Sequence, residues 1–133
     1  MYLLDTCAFI WALKDDSKLP EKVKEVMANN KIYLSQATFW EIAIKQSIHK
    51  LDVITETLFE LQEICDNSDI TILPIETAYM ERIKTLPLIH LDPFDRIIIA
   101  TAALENLTVI TADAKIAKYE EVKCLWEDIK EDQ

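Results

Sequence analysis

The chain contains no glycine, and this absence excludes a group of ligand sites. The phosphate-binding loops of P-loop proteins and of dinucleotide-binding folds depend on glycines that let the backbone approach a phosphate. We therefore expect no nucleotide cofactor. Cysteine is scarce, since only Cys7, Cys65 and Cys124 occur, and their odd number and spacing fit no metal site. Reduced thiols in a reducing compartment are the simplest interpretation.

Long apolar runs and a secretory leader are also missing. The longest apolar stretch, residues 97–104, is far shorter than the ~20 residues that cross a bilayer. Residues 1–13 are apolar, but they include Asp5 and carry neither a basic leader nor a small-residue cleavage site. We therefore expect a soluble, cytoplasmic protein with no membrane contact.

Acidic residues outnumber basic ones: the chain has 24 Asp and Glu against 14 Lys and Arg, which gives a formal net charge of −10. Such a charge repels phosphate backbones and argues against a protein that coats nucleic acid without specificity. Any chemistry on nucleic acid must therefore be local. It needs bound cations, a few well-placed basic residues or a basic partner protein.

Short β-branched or apolar runs alternate with segments of helical periodicity. The predicted strands are residues 2–4, 32–34, 70–73, 108–110 and, more weakly, 122–126. The predicted helices are residues 6–13, 21–28, 36–49, 56–66, 77–85, 93–105 and 114–119. The alternation predicts an α/β fold in three layers (α/β/α), with a mainly parallel sheet of roughly five strands. We expect a single domain over residues 1–133, with a frayed tail over residues 127–133.

Acidic residues lie where ligands of such sheets bind. The carboxyl ends of parallel strands share one edge of the sheet, and clefts form there. The acids that follow strand ends or occupy the first turns of predicted helices are Asp5, Glu41, Asp95 and Asp113. Although they are distant in sequence, we expect them to converge in space.

Each of these acids also has a structural interpretation as a helix cap. Asp92 followed by Pro93 is typical of an N-cap with proline at the first helical position. That start would place Asp95 in the first turn, where an acid is favourable for the helix alone. Capping therefore remains open for the acids taken singly.

Glu41 has two alternative environments. Thr38 and Glu41 have capping-box spacing, but Ser35 is a rival cap that would leave Glu41 deeper in the helix. A carboxylate pressed among apolar neighbours there needs a cation, a donor or a proton. An exposed helical pair with Lys45, worth only ~0.2–0.5 kcal/mol, is too weak to explain a buried acid.

The joint pattern favours a metal site. Four carboxylates in one cleft repel one another and raise each other's pKa values unless a positive charge neutralises them. Ligands that are oxygen alone suit Mg²⁺ or Mn²⁺ and do not suit zinc. Such an ion polarises a phosphate oxygen and deprotonates a bound water, so the implied reaction is phosphodiester hydrolysis.

Four segments carry a family resemblance: residues 3–6 (LLDT), 40–45 (WEIAIK), 90–96 (HLDPFDR) and 111–113 (TAD). With these segments the chain resembles PIN-domain ribonucleases over nearly its whole length. It is closely similar to the VapC-type toxins of bacterial toxin–antitoxin pairs.

The resemblance implies a complete set of functional parts. The catalytic, metal-binding acids would be Asp5, Glu41, Asp95 and Asp113, with Mg²⁺ or Mn²⁺ as the cofactor. Thr6 and Thr111 would place hydroxyls in or beside the cluster. The substrate would be single-stranded or looped RNA. The family also implies a homodimer, inhibited by a basic antitoxin protein whose C-terminal segment covers the cleft.

The chain departs from the family pattern at two positions. Leu91 stands where an arginine often precedes the Asp-Pro-Phe-Asp-Arg segment, and His49 stands where a glycine often precedes Lys50. A phosphate contact is therefore in doubt. The remaining candidates to hold the RNA backbone are Lys45, Lys50 and Arg96, each of which also fits an ion pair with a neighbouring acid.

Other conspicuous residues are interpreted as structural. We expect the aromatic rings of Phe9, Trp11, Trp40 and Phe94 to belong to the core. His90 is interpreted as positional, and Cys7 as no nucleophile because nearby acids disfavour a thiolate. The alternative to an enzyme is a catalytically weak or inactive acidic module that binds a basic protein. The presence of all four acids favours the enzyme.

Overall fold

The computed structural model describes residues 1–14, 16–52 and 54–127. Their strands are β1 (Tyr2–Leu4), β2 (Ile32–Ser35), β3 (Ile70–Leu73), β4 (Thr108–Ile110) and β5 (Lys123–Leu125). Their α-helices are α1 (Thr6–Lys14), α2 (Glu21–Asn29), α3 (Gln36–Ser47), α4 (Leu58–Asn67), α5 (Thr77–Ile83), α6 (Pro93–Glu105) and α7 (Ala114–Ala117). A short 3₁₀ turn, Asp16–Lys18, follows α1. Residues 128–133, which make up most of the predicted tail, lie outside the described residues.

All the strands form one parallel sheet in the order β3-β2-β1-β4-β5. β1 is central, and its Leu4 pairs with Leu34 on one side and with Ile110 on the other. Parallel neighbours need long crossovers, which the helices between the strands supply. The predicted α/β fold is confirmed, including the weakly predicted fifth strand.

The core lies on both faces of the sheet. Leu3 and Leu4 point to opposite faces because side chains alternate along a strand, and both are fully buried. Leu4 packs with Phe9 and Leu34 in one apolar cluster, while Leu3 packs with Ile98 in another. Burial on both faces gives the three-layer arrangement. No helix in the described part of the chain is long and apolar enough to span a bilayer.

Helix ends differ from their predicted positions by up to two residues, since α5 ends at Ile83 and α7 at Ala117, each two residues early. Two further differences have a clear local reason. α3 ends at Ser47, before residue 49, because the backbone of His49 has a positive φ of 58°. α4 begins at Leu58, two residues late, because Thr57 forms a capping box with Glu60. The Thr57 side chain accepts from the Glu60 N–H while Glu60 accepts from the Thr57 N–H, which fixes the start of the helix.

Left-handed turns are made without glycine. The described residues with positive φ are His49, Asp69 and Asn106, at 57–58°. Apart from glycine, asparagine, aspartate and histidine enter this region most readily. Asn106 ends α6 in this way. The left-handed backbone also explains why a glycine suits the position of His49.

Replacing His49 with glycine should stabilise the protein. Glycine removes the Cβ strain of a left-handed residue, at ~1–2 kcal/mol, and costs ~0.5–1 kcal/mol of chain entropy. We therefore expect a gain of about 0.5–1 kcal/mol, measured as a rise in melting temperature of a few degrees. Lys50→Gly, at an ordinary backbone position, should show no gain. A His49→Gly protein that melts at a lower temperature than the wild type would contradict the left-handed backbone conformation of His49.

Candidate metal centre

Asp5 lies directly after the central strand and is almost fully buried. Its Oδ1 accepts from the Ala8 N–H at 2.8 Å, which caps the start of α1, and its Oδ2 accepts from the Thr111 hydroxyl at 2.5 Å. The carboxylate therefore serves as a cap and also ties together the ends of β1 and β4. Burial raises the pKa of Asp5 to about 6, against the opposing effect of the Thr111 hydrogen bond.

Glu41 lies one to two turns inside α3. Ser35 is the N-cap of α3, since its hydroxyl accepts from the Ala37 N–H at 3.0 Å. Of the two predicted alternatives, the Ser35 cap is therefore the one observed, and the Thr38 capping box is not. Glu41 is only 5% exposed. Its Oε2 accepts from the Lys45 ammonium at 2.7 Å, while its Oε1 is buried without a hydrogen-bond partner. A buried oxygen without a donor is costly and needs a further positive or donor group.

Asp92 and Asp95 lie at the start of α6. As predicted, Asp92 is the N-cap, accepting from the Phe94 and Asp95 N–H groups at 2.9 and 3.0 Å, and Pro93 follows it. Asp95 occupies the third helical position, and its side chain is 20% exposed. Burial, followed by the charge of Asp92, raises the pKa of Asp95 to about 7. Because Asp92 caps the helix, the Asp95 carboxylate is not needed for capping and faces other groups.

Asp113 follows β4 and faces His90. Its Oδ1 accepts from the Lys115 N–H at 2.8 Å and caps the short helix α7. Its Oδ2 lies 3.0 Å from His90 Nε2, and the same nitrogen lies 2.9 Å from Asp95 Oδ2. His90 therefore bridges two of the predicted acids. The sequence offered one signal for it, its position two residues before the Asp92 cap.

The predicted acids converge on one cleft of about 380 Å³ at the carboxyl edge of the sheet. Its lining residues are Asp5, Thr6, Cys7, Ile10, Glu41, Lys45, Asp92, Asp95, Ala112 and Asp113. The Thr6 hydroxyl lies 3.0 Å from that of Thr38 at the same edge. Distant sequence segments thus meet because the strand ends meet. Asp92 is an additional acid that sequence reasoning treated only as a cap.

The residues of the cleft fit a hard divalent cation. The atoms that they offer as metal ligands are carboxylate oxygens, the type of ligand that Mg²⁺ and Mn²⁺ prefer. The Oε1 of Glu41 has no partner, and burial, with a smaller contribution from neighbouring acids, raises the pKa values of Asp5 and Asp95. Lys45 supplies one positive charge, and its hydrogen bond to Glu41 raises its pKa. A bound cation would complete the neutralisation.

Arg96 is a structural residue, which corrects the expectation that it holds RNA. It is only 9% exposed. Its guanidinium donates, at 2.9–3.4 Å, to backbone carbonyl oxygens of the last residue of α5 and of the segment that follows it: those of Ile83, Leu86, Pro87 and His90. Arg96 therefore cannot reach a phosphate in solvent. It fixes the segment that carries His90.

The two lysines differ in position. Lys45 lines the cleft, as its ion pair with Glu41 requires. Lys50 is exposed beyond the end of α3 and does not line the cleft. The RNA-binding role of both lysines stays a prediction.

The aromatic residues fall into two groups. Phe9 is in the core as expected, and Trp11 is half-buried against Trp126. Trp40 is 56% exposed and packs edge-on against Phe94, with ring centroids 5.1 Å apart, so its predicted place in the core is wrong. Helical spacing alone does not reveal which face of α3 lacks a neighbour.

Comparison with known proteins adds independent information. A family model described as PIN domain matches residues 2–122. No curated protein matches the chain in sequence. Solved structures do resemble it, and VapBC2 of Rickettsia felis, bound to a promoter DNA fragment, has a TM-score of 0.69 at 18% identity, covering 95% of this chain and 98% of that one.

Two further structures are similar. VapBC of Salmonella typhimurium, bound to DNA, has a TM-score of 0.66 at 18% identity and covers 93% of this chain and 96% of that one. A toxin–antitoxin complex from Klebsiella pneumoniae has a TM-score of 0.62 at 25% identity, covering 92% and 95%. The match of the family model over almost the entire described chain assigns the family: the chain belongs to the PIN-domain family.

Proposed function

We propose that the protein is a Mg²⁺- or Mn²⁺-dependent endoribonuclease that acts as the toxin of a toxin–antitoxin pair. The observation that carries the proposal is the convergence of Asp5, Glu41, Asp95 and Asp113 on one cleft, with a buried Glu41 oxygen that has no partner. The family and the toxin–antitoxin complexes among similar structures support a nuclease toxin.

The chain's own residues have separate tasks in this reaction. Asp5, Glu41, Asp95 and Asp113 would hold the metal, which when bound polarises the phosphate and activates water. Thr111 and the Ala8 N–H hold the two Asp5 oxygens in a fixed orientation. Lys45 holds Glu41 and places an ammonium group at the cleft, where it can bind a phosphate oxygen of RNA.

The charge of the protein favours a basic antitoxin as its inhibitor. A net charge of −10 and a cleft lined by carboxylates attract a basic segment of a protein partner. The similar structures are complexes of a toxin with an antitoxin, some of them bound to DNA. We extend this arrangement to the present chain, together with a homodimeric state and a cytoplasmic location.

The test is cleavage of single-stranded RNA by purified protein that has been freed of partners. We expect cleavage with added Mg²⁺ or Mn²⁺, none with chelator, and a loss of at least ~100-fold in Asp5→Asn, since even outer partners of metal ligands are worth 10–100-fold. Asp69→Asn is the matched control. It makes the same chemical change at an exposed residue just before β3, and asparagine tolerates the positive φ there.

Two results would contradict the proposal. The first is cleavage that persists in chelator, and the second is cleavage that is unchanged in a folded Asp5→Asn protein. A folded wild type that binds a basic peptide but cleaves no RNA with either metal would instead favour the acidic binding module.

A further inference from the structure

We propose that His90 occupies the place of a second cation, so that the protein binds one divalent ion per chain and a second site opens only when the imidazole is removed. This inference rests on the proposed metal site and deepens it, because it fixes the number of ions. It concerns the Asp95–Asp113 side of the cleft, and of the four predicted acids it makes Asp5 and Glu41 the main ligands of the ion that is bound.

The imidazole lies between two carboxylates. Nε2 of His90 is 2.9 Å from Asp95 Oδ2 and 3.0 Å from Asp113 Oδ2, and the three atoms lie within 4.8 Å of one another. By distance alone this group resembles a metal site with one nitrogen and two oxygen ligands. The hydrogen-bonding state of the ring decides between a ligand and a donor.

The tautomer of His90 makes Nε2 a donor. The backbone N–H of Asp92 points at Nδ1, at 3.3 Å, so Nδ1 is the acceptor nitrogen of the ring. The hydrogen of the neutral ring is then on Nε2, which is hydrogen-bonded to Asp113 Oδ2 and has Asp95 Oδ2 2.9 Å away. A histidine that binds a metal through Nε2 almost always donates from its other nitrogen, and here that nitrogen faces a donor. His90 is therefore a hydrogen-bond donor in the cleft and is not a metal ligand.

The backbone that carries the ring is held in place. The His90 carbonyl oxygen accepts from Arg96 at 3.2 Å, and its N–H donates to the Tyr119 hydroxyl at 2.8 Å. The same hydroxyl donates to the Pro87 carbonyl oxygen at 2.8 Å. Because both backbone groups are fixed from the buried side, the Cα of His90 stays beside the cleft, and the ring itself is oriented by its contacts with the Asp92 N–H and Asp113.

On the other side of the cleft, donors reach both Asp5 oxygens and one Glu41 oxygen, and one buried oxygen is left without a partner. Glu41 Oε1 is buried and without a partner, in contrast to Oδ2 of both Asp95 and Asp113. A first cation therefore gains most beside Glu41 and Asp5. A second cation has to displace the Nε2–H from between its carboxylates.

The experiment counts ions by titrating metal-free, full-length protein with Mn²⁺ and following free Mn²⁺ by electron paramagnetic resonance. We expect one ion per chain in the wild type and two in His90→Ala. The control is His49→Gly, which removes the only other histidine of the chain and should keep one ion. Adding Asp113→Asn to His90→Ala should return the count to one, because the second site loses a ligand.

A second measurement uses the wild type and does not depend on folding of the variants. Imidazole ¹⁵N spectra should show hydrogen on Nε2 of His90 both before and after saturation with diamagnetic Mg²⁺. Two ions in the wild type, one ion in a folded His90→Ala protein, or loss of the Nε2 hydrogen on adding Mg²⁺ would each overturn this inference and leave the proposed function standing. A wild type that binds no ion overturns both.

Discussion

Asp95→Asn should abolish RNA cleavage and, at pH 8 without metal, raise the stability of the protein. The loss of cleavage should be at least ~100-fold, since Asp95 lines the metal cleft and even outer partners of metal ligands are worth 10–100-fold. The gain in stability has a different origin. Burial and the charge of Asp92 make the ionised Asp95 unfavourable, and asparagine carries no charge.

The gain should depend on pH. The pKa of Asp95 in the folded protein, about 7, is above the value of 3.8 for the unfolded chain. The folded state then binds the extra proton between these values, so the contribution of Asp95 to stability is complete below about pH 4 and is lost as the pH rises through 7. The Asp95→Asn variant does not lose stability in this way as the pH rises, because asparagine does not ionise. A pKa unit corresponds to ~1.4 kcal/mol, but asparagine also loses a favourable charge at the helix N-terminus, so we expect a net gain of about 1–2 kcal/mol at pH 8.

The measurement is thermal unfolding in chelator between pH 4 and 8, together with a cleavage assay. Glu63→Gln is the control, since it removes one negative charge from an exposed position on α4. It should change neither cleavage nor the pH dependence. An Asp95→Asn protein that is less stable than wild type at pH 8 would show that the carboxylate is not under electrostatic strain.

Arg96→Ala should destabilise the protein by at least about 3 kcal/mol. The substitution removes four hydrogen bonds from a charged donor, a type of bond that is worth ~1.5–3 kcal/mol. The carbonyl oxygens of Ile83, Pro87 and His90 keep a second donor, so only part of that sum is lost. For a chain of this size the melting temperature should fall by on the order of 10 °C. Lysine at this position should not restore it, because one ammonium lacks the fork of donors.

Arg82→Ala is the matched control for Arg96→Ala. Arg82 is a partly exposed arginine whose contacts are a 3.8 Å pair with Glu121 and a hydrogen bond to Thr85. Its removal should cost at most about 1 kcal/mol. Equal melting temperatures for the two alanine variants would contradict the structural role of Arg96 and reopen a role in binding RNA.

The sheet could be predicted from the sequence because each strand is a short apolar run between helices. Tyr2–Leu4, Ile70–Leu73 and Thr108–Ile110 are found with the predicted ends. Strands buried on both faces read as continuous apolar runs, which gives a strong signal. The errors of prediction lie at helix ends such as that of α3, where the backbone conformation of a single residue determines the position at which the helix stops.

Convergence of the acids was also predictable, because strand ends share an edge whatever the side chains do. The roles of His90 and Arg96 were not predictable. Both act through contacts between segments that only the tertiary structure brings together, namely Asp113 with His90, and Arg96 with the carbonyl oxygens of residues 83–90. A charged side chain in a helix gives no sign in the sequence of whether it faces solvent or a buried loop.

The capping and metal-binding interpretations of the acids proved compatible. Asp5 and Asp113 each use one oxygen to accept from a backbone N–H and direct the other to a different group. A carboxylate has two oxygens and about four acceptor sites, so a carboxylate that caps a helix still has acceptor sites for a metal ion. Helix starts at the carboxyl edge of the sheet thus place the acids and also fix their orientation.

The decisive measurement is the melting temperature of the wild type and of Glu41→Gln with Mg²⁺ and with chelator at pH 8. A cation at a hundred times its dissociation constant stabilises the folded state by ~2.7 kcal/mol, a rise of about 5–10 °C. We expect that rise in the wild type and a much smaller one in Glu41→Gln, which loses a charged ligand. Identical melting temperatures of the wild type in Mg²⁺ and in chelator would show that the carboxylates at this edge hold no divalent cation.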